Sequence, residues 1–135
     1  LDLYAQAIAL NLEVWDMEPP RITQRNIQHG AIVSVDTGVT VTFDKEVDPA
    51  TISAGAISLV RSGSYVSGVV EYDAELKELR FTPDLMLFPN SDYTVVVSGQ
   101  LADHFGNRIG KDLDWQFSTM FDLVPPPLAE IAPEE

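Results

Sequence analysis

Four oxygen-bearing side chains, Asp103, Asn107, Asp112 and Asp114, lie close together in the chain, and they are hard ligands of the kind a calcium ion takes. The run lacks the twelve-residue Asp-x-Asp-x-Asp-Gly loop closed by a glutamate. The stretch Asp103-His104-Phe105-Gly106-Asn107 has a simpler reading, in which Asp103 bonds neighbouring backbone amides while Gly106 or Asn107 takes the left-handed conformation of a tight turn. Turn geometry is therefore the expectation, with no metal and no cofactor; calcium on these four residues is the alternative. His29 and His104 fall in predicted loops and lack the His-x-x-x-His or Glu-x-x-His spacing that puts ligands on one helix face. Ser34, Ser53 and Ser98 lack the Gly-x-Ser-x-Gly elbow, and Gly63 with Gly68 forms no phosphate cradle before a helix. A paired-carboxylate glycosidase needs a cleft that a domain of roughly 100 residues rarely builds. The residues point away from catalysis.

The elements that would position these groups are bounded by composition. The 135 residues suit one ordinary domain with a short appendage, and 45% hydrophobic against 21% charged residues is enough apolar content for a core. Acidic residues outnumber basic ones 21 to 8, a formal charge of -13, which disfavours nucleic acid and anionic membrane as partners. Without cysteine there is no disulfide, thiol nucleophile or thiolate metal site. The apolar runs are far shorter than the ~20 residues that cross a bilayer, so no membrane insertion is expected. The chain begins at Leu1 without a signal-peptide pattern, and the expectation is a processed product or an excised fragment, which leaves room for a targeting signal or anchor outside these residues.

Breaks at Pro19-Pro20 and Pro125-Pro126-Pro127 divide the sequence into an arm over 1–19, a domain over 20–122 and a Pro-rich acidic linker or tail over 123–135. In the arm, Leu1, Tyr4, Ala5, Ile8, Leu12 and Trp15 recur at helical steps, which predicts a helix over roughly residues 2 to 16. The competing reading is a strand from Leu10 to Val14. An amphipathic helix of this length is marginal alone, so the arm is expected to dock on its own domain, on a neighbour, or on a second copy as a dimerisation element.

From Arg21 to Thr119 the period becomes two. Val39, Val41 and Phe43 alternate with Thr40 and Thr42, the pattern of a strand buried on one face. Further strands are expected at Ile22–Gln24, Ala31–Val35, Ile57–Arg61, Val66–Tyr72, Glu78–Thr82, Tyr93–Ser98 and Asp114–Ser118. Ser62-Gly63-Ser64 and Asp73-Ala74-Glu75 are placed as hairpin loops, and Pro49, Pro83 and Pro89 stand outside strand centres. About seven short strands in this length predict an all-β sandwich. Leu87-Phe88-Pro89-Asn90-Ser91-Asp92-Tyr93 has the form of a tyrosine corner, where a phenol hydroxyl bonds back to upstream backbone. Trp115 and Phe117 lie two apart and are expected to share the core face.

Taken in order, these pieces resemble the bacterial Ig-like domain of the SbsA type, found in S-layer and other bacterial surface proteins. The resemblance rests on Gly30-Ala31, Val41-Thr42-Phe43, Val47-Asp48 with Thr51-Ile52, Phe81-Thr82-Pro83, Leu87 to Tyr93, Asp103 to Asn107, and Trp115 to Thr119. Two departures touch loop shape: Asn26 to His29 stand where a proline is usual before Gly-Ala, and Glu46 replaces the usual proline before Val47-Asp48. The resemblance implies an Ig-like β-sandwich that is extracellular, non-enzymatic and repeated along secreted or cell-surface proteins. The expected partners are neighbouring domains of the same polypeptide, and Phe43, Pro89, Tyr93, Gly106, Trp115 and Phe117 are structural. The rival is an adhesin-type module that binds a glycan or surface protein through loops or an edge strand. Tyr4, Tyr65, Phe88 and Phe105 are the aromatics left outside the expected core, and a flat row of them would favour that rival.

Overall fold

A computed structural model describes residues 17–121. The expected arm over 1–19 falls outside the described residues apart from Met17–Pro19, which form no regular element, and the tail over 123–135 lies outside them as well. Among the described residues nine strands run in the order β1 Ile22–Arg25, β2 Ala31–Val33, β3 Val39–Phe43, β4 Ile57–Arg61, β5 Ser64–Tyr65, β6 Gly68–Asp73, β7 Glu78–Pro83, β8 Asp92–Val97 and β9 Leu113–Thr119. They form two sheets, one ordered β1-β3-β7-β6 and the other β2-β9-β8-β4-β5.

Alternation drives this arrangement. Val39, Val41 and Phe43 of β3 and Leu79 and Phe81 of β7 bury against Ile57 and Leu59 of β4, Tyr93, Val95 and Val97 of β8, and Trp115 and Phe117 of β9. The residues between them are partly or fully exposed, as in a two-sheet sandwich with a single apolar core.

Eight of the nine strands fall on the runs expected from sequence. The first two belong to different sheets: β1 pairs antiparallel with β3, and after buried Ile27 the chain changes sheet so that β2 runs parallel to β9. Strand β2 stops at Val33, short of Val35, because the chain turns with Thr37 N–H on Ser34 O. The ninth strand was not expected: Ser62-Gly63 turns β4 into only the two-residue β5, after which the chain crosses to the other sheet as β6. The Ser62-Gly63-Ser64 loop therefore does not join β4 to the longer strand expected after it. Gly68 opens β6 where a Cβ would come within 2.4 Å of Phe81 Cζ and 2.5 Å of Thr82 O, a close approach that only glycine allows.

The register fixes where the chain comes and goes. Ile22 pairs with Phe43 and Val97 with Leu113; these ends are joined through Asp48 N–H on Ala102 O and make an N-terminal pole. Asp92 pairs with Ser118 and Gly68 with Pro83; with Leu87 N–H on Val35 O they make a C-terminal pole. The described chain enters at one pole and leaves at the other.

Candidate functional site

The β7–β8 connection shapes the C-terminal pole. Tyr93 is 2% exposed, its ring stacks on Phe117 with centroids 5.5 Å apart, and its hydroxyl accepts the Phe88 N–H at 2.8 Å. Thr119 works on the same loop: its Oγ1 donates to Phe88 O at 2.6 Å and accepts the Ser91 N–H at 2.9 Å. Leu87 is buried, so the loop is pinned by one apolar residue and by these three side-chain hydrogen bonds, beside its backbone bonds to Val35, Met120 and Thr119. Pinning Leu87 inward turns Leu85, Met86 and Phe88 outward, at 82%, 73% and 59% exposure.

Across from them, exposed Tyr65 and the Arg61 side chain complete a groove of about 460 Å³. The Arg61 guanidinium sits 4.3 Å from the centroid of the Phe88 ring, a cation–π contact that holds both side chains in place. Of the three described aromatics singled out above, Tyr65 and Phe88 come together here, while Phe105 lies on the 103–108 loop at the N-terminal pole. They form no flat row. Leu85, Met86 and Arg61 were not singled out from sequence, though the run Leu85-Met86-Leu87-Phe88 between Pro83 and Pro89 carries the signal: four consecutive apolar residues in a loop cannot all turn inward and leave an exposed apolar patch.

At the opposite pole Asp103 is buried and organises the acidic loop. Its Oδ1 accepts the N–H groups of Phe105 and Asn107, both at 2.9 Å. Its Oδ2 accepts Asn107 Nδ2 at 2.9 Å and the Lys45 ammonium at 3.3 Å. Burial alone would raise the carboxyl's pKa; the hydrogen bonds from Asn107, Phe105 and Lys45 outweigh it and hold Asp103 below the usual carboxylate range. Gly106 takes φ 86° in this turn, the position where a left-handed backbone needs glycine. Asp112 accepts the Gly99 N–H at 2.8 Å and Asp114 is exposed on β9. Among the described residues no three His, Cys, Asp or Glu side chains are grouped to hold a metal ion.

The remaining residues singled out have their own engagements. Trp115 donates its indole N–H to Ile27 O at 2.8 Å beneath the Arg25 guanidinium, 4.4 Å from the ring centroid. Phe43 and Phe117 are core residues and Pro89 is exposed at the loop tip. His29 Nδ1 accepts the Gln116 N–H, and His104 pairs with Glu46 at 3.4 Å on the surface. Ser34 bonds Asp36, and Ser53 and Ser98 accept backbone N–H groups two residues on.

Comparison with known proteins now decides the family, since residues 16–119 match the sequence model of the bacterial Ig-like domain. The chain belongs to that family. A search of the curated proteins finds no match to this Ig-like domain. Among solved structures it is similar to the N-terminal part of the bacterial S-layer protein SbsC, at 25% identity and TM-score 0.56, over 88% of this chain and 27% of that one. It is also similar to SbsC domains 1–6, at 27% identity and TM-score 0.54, over 92% and 16% of the two chains. The Ig-like domain thus spans about a quarter or less of the S-layer chains it resembles. PcoC, a methionine-rich copper resistance protein from Escherichia coli, shares the fold at 15% identity and TM-score 0.61, over 74% of this chain and 97% of that one. Among the described residues no helix is long and apolar enough to cross a membrane.

Proposed function

We propose that this Ig-like domain is a non-enzymatic spacer of a bacterial secreted or cell-surface protein, holding neighbouring domains of the same polypeptide at a set separation. The observation that carries the reading is the placement of entrance and exit at opposite poles, the arrangement a string of modules needs. The likeness to S-layer domains supports the extracellular setting. The charge of -13 favours a soluble surface with little non-specific association and argues against nucleic acid as a partner. In this reading the domain needs no cofactor or calcium, because its acidic turn is held by Asn107 and Lys45 instead.

The adhesin reading draws on one observation, the meeting of Tyr65 and Phe88 at the groove. The experiment that separates the two is a glycan and surface-protein binding screen, run beside melting of the domain alone and in its flanking context. A spacer gives no specific hit and melts in one cooperative transition in both settings. A hit lost in Tyr65→Ala or Phe88→Ala, with melting intact, would install the adhesin reading instead.

A further inference from the structure

Exposed apolar side chains gather at the pole where the chain leaves: Leu85, Met86, Phe88, Tyr65 and, at the end of the described chain, Met120 and Phe121. A small sandwich gains nothing from leaving such a patch wet. The Asn90 N–H bonds Met120 O at 2.9 Å, so the end of the described chain stands beside the Phe88 loop. The next residues in the sequence are Asp122 and then Leu123-Val124-Pro125-Pro126-Pro127-Leu128. We propose that the groove between Tyr65 and Phe88 seats the chain's own Leu123–Leu128 stretch.

Reach and chemistry agree on this occupant. From β9 to β5 is three strand spacings, about 14 Å at ~4.8 Å each, and seven residues in the extended conformation that prolines favour span about 22 Å. Aromatic-lined grooves are the usual seat of such segments, whose ordering entropy is low before they bind. The groove carries one basic and one acidic residue, Arg61 and Asp84, and the Leu123–Leu128 stretch itself holds no charge, so an uncharged apolar segment meets no repulsion there. A second copy would find little strand edge to pair with here, since β5 is two residues long. A glycan would meet mainly hydrocarbon where its hydroxyls need partners. A seated stretch would set the direction in which the chain leaves the sandwich, a property beyond the spacing of its poles.

The absence of cysteine makes a crosslinking test clean in the full 135-residue chain. Leu85→Cys is combined with Leu128→Cys, and the rate of disulfide formation under mild oxidation is read by mass and by gel. The control pairs Leu128→Cys with Leu76→Cys, exposed on the β6–β7 turn at the far pole. The Leu85 pair is expected to close within one chain while the Leu76 pair does not. Adding Phe88→Ala, or Tyr65→Ala as an independent variant, is expected to slow closure by about tenfold, the equivalent of losing one anchoring side chain. Closure insensitive to both variants would mean tethering alone and overturn the proposal. Disulfide-linked dimers in place of the intrachain product would overturn it in favour of a second copy.

Discussion

Tyr72 on β6 accepts the backbone N–H of Val47 on its phenol oxygen at 2.8 Å, tying the loop after β3 to the edge of the same sheet. It mirrors Tyr93 and Phe88 at the other pole, so each end of the sandwich has a tyrosine that satisfies a loop amide. Burial, the largest influence, raises the Tyr72 pKa, with the Glu46 and Asp73 carboxylates adding to it against the Val47 hydrogen bond. The hydroxyl thus stays protonated and neutral across the physiological range.

Removing either hydroxyl leaves a loop N–H without its partner. Tyr72→Phe and Tyr93→Phe are each expected to destabilise by about 1 kcal/mol, with Tyr93 the larger because its site is drier. The two lie at opposite poles and share no partner, so the double variant should show the sum within about 0.5 kcal/mol. Urea unfolding of the three variants checks both statements. Unchanged stability in Tyr93→Phe would remove the corner's structural role.

Asp103 makes a pH prediction whose sign is fixed by the direction of its shift. Its folded-state pKa is lowered relative to an unfolded aspartate near ~3.9, so the unfolded chain binds the proton more readily. The stability it contributes is present above about pH 4 and is lost as pH falls through the lower folded value. Asp103→Asn should cost about 1.5–3 kcal/mol at neutral pH, the range for hydrogen bonds to a charged group, and should flatten the acid limb of the stability curve. Denaturant unfolding from pH 7 to pH 2 tests it; parallel acid limbs would contradict the assignment.

The strands were legible because one face of each is dry: Val39, Val41 and Phe43, or Tyr93, Val95 and Val97, alternate with residues that meet solvent, and period two survives without knowledge of the partner strand. Tyr93 was legible since its partner lies five residues away in the chain. Tyr72 was not, because Val47 is 25 residues distant and no local pattern marks the pair. The change of sheet after Tyr65 was hidden for the same reason. Ser62-Gly63 announces a turn, but nothing local tells that only two residues pair after it before the chain passes Phe81 at Gly68. The groove needed Leu87 to be known as buried before its neighbours could be known as exposed.

Calcium gives a prediction with a clear readout. The Asp103 oxygens already accept from Phe105, Asn107 and Lys45, so a cation there would have to displace an ammonium and break the turn. Melting in chelator and in millimolar calcium should coincide. A ligand bound only to the folded state at a hundredfold excess over its Kd adds about 2.7 kcal/mol. A rise of that size, abolished in Asp103→Ala, would make the loop a calcium site after all.

Gly68 carries the last prediction. Strand β6 begins there, just after the crossing between sheets, and a methyl group on its Cα would lie 2.4 Å from Phe81 Cζ and 2.5 Å from Thr82 O. Phe81 is 3% exposed and locked in the core, and Thr82 O is backbone, so neither neighbour can swing away as a flexible surface side chain would. Gly68→Ala must therefore shift the strand or the ring, and overpacking of this kind costs about 1–3 kcal/mol. At a glycine where a Cβ would make only an ordinary van der Waals contact, such as Gly55 with Ser53 Oγ at 4.0 Å, alanine should be neutral or mildly stabilising through the unfolded chain. Denaturant unfolding of Gly68→Ala and Gly55→Ala side by side decides it. A double variant with Phe81→Leu, which shortens the obstructing ring, should recover part of the loss. Equal stability of the two alanine variants would mean that β6 can move away from β7.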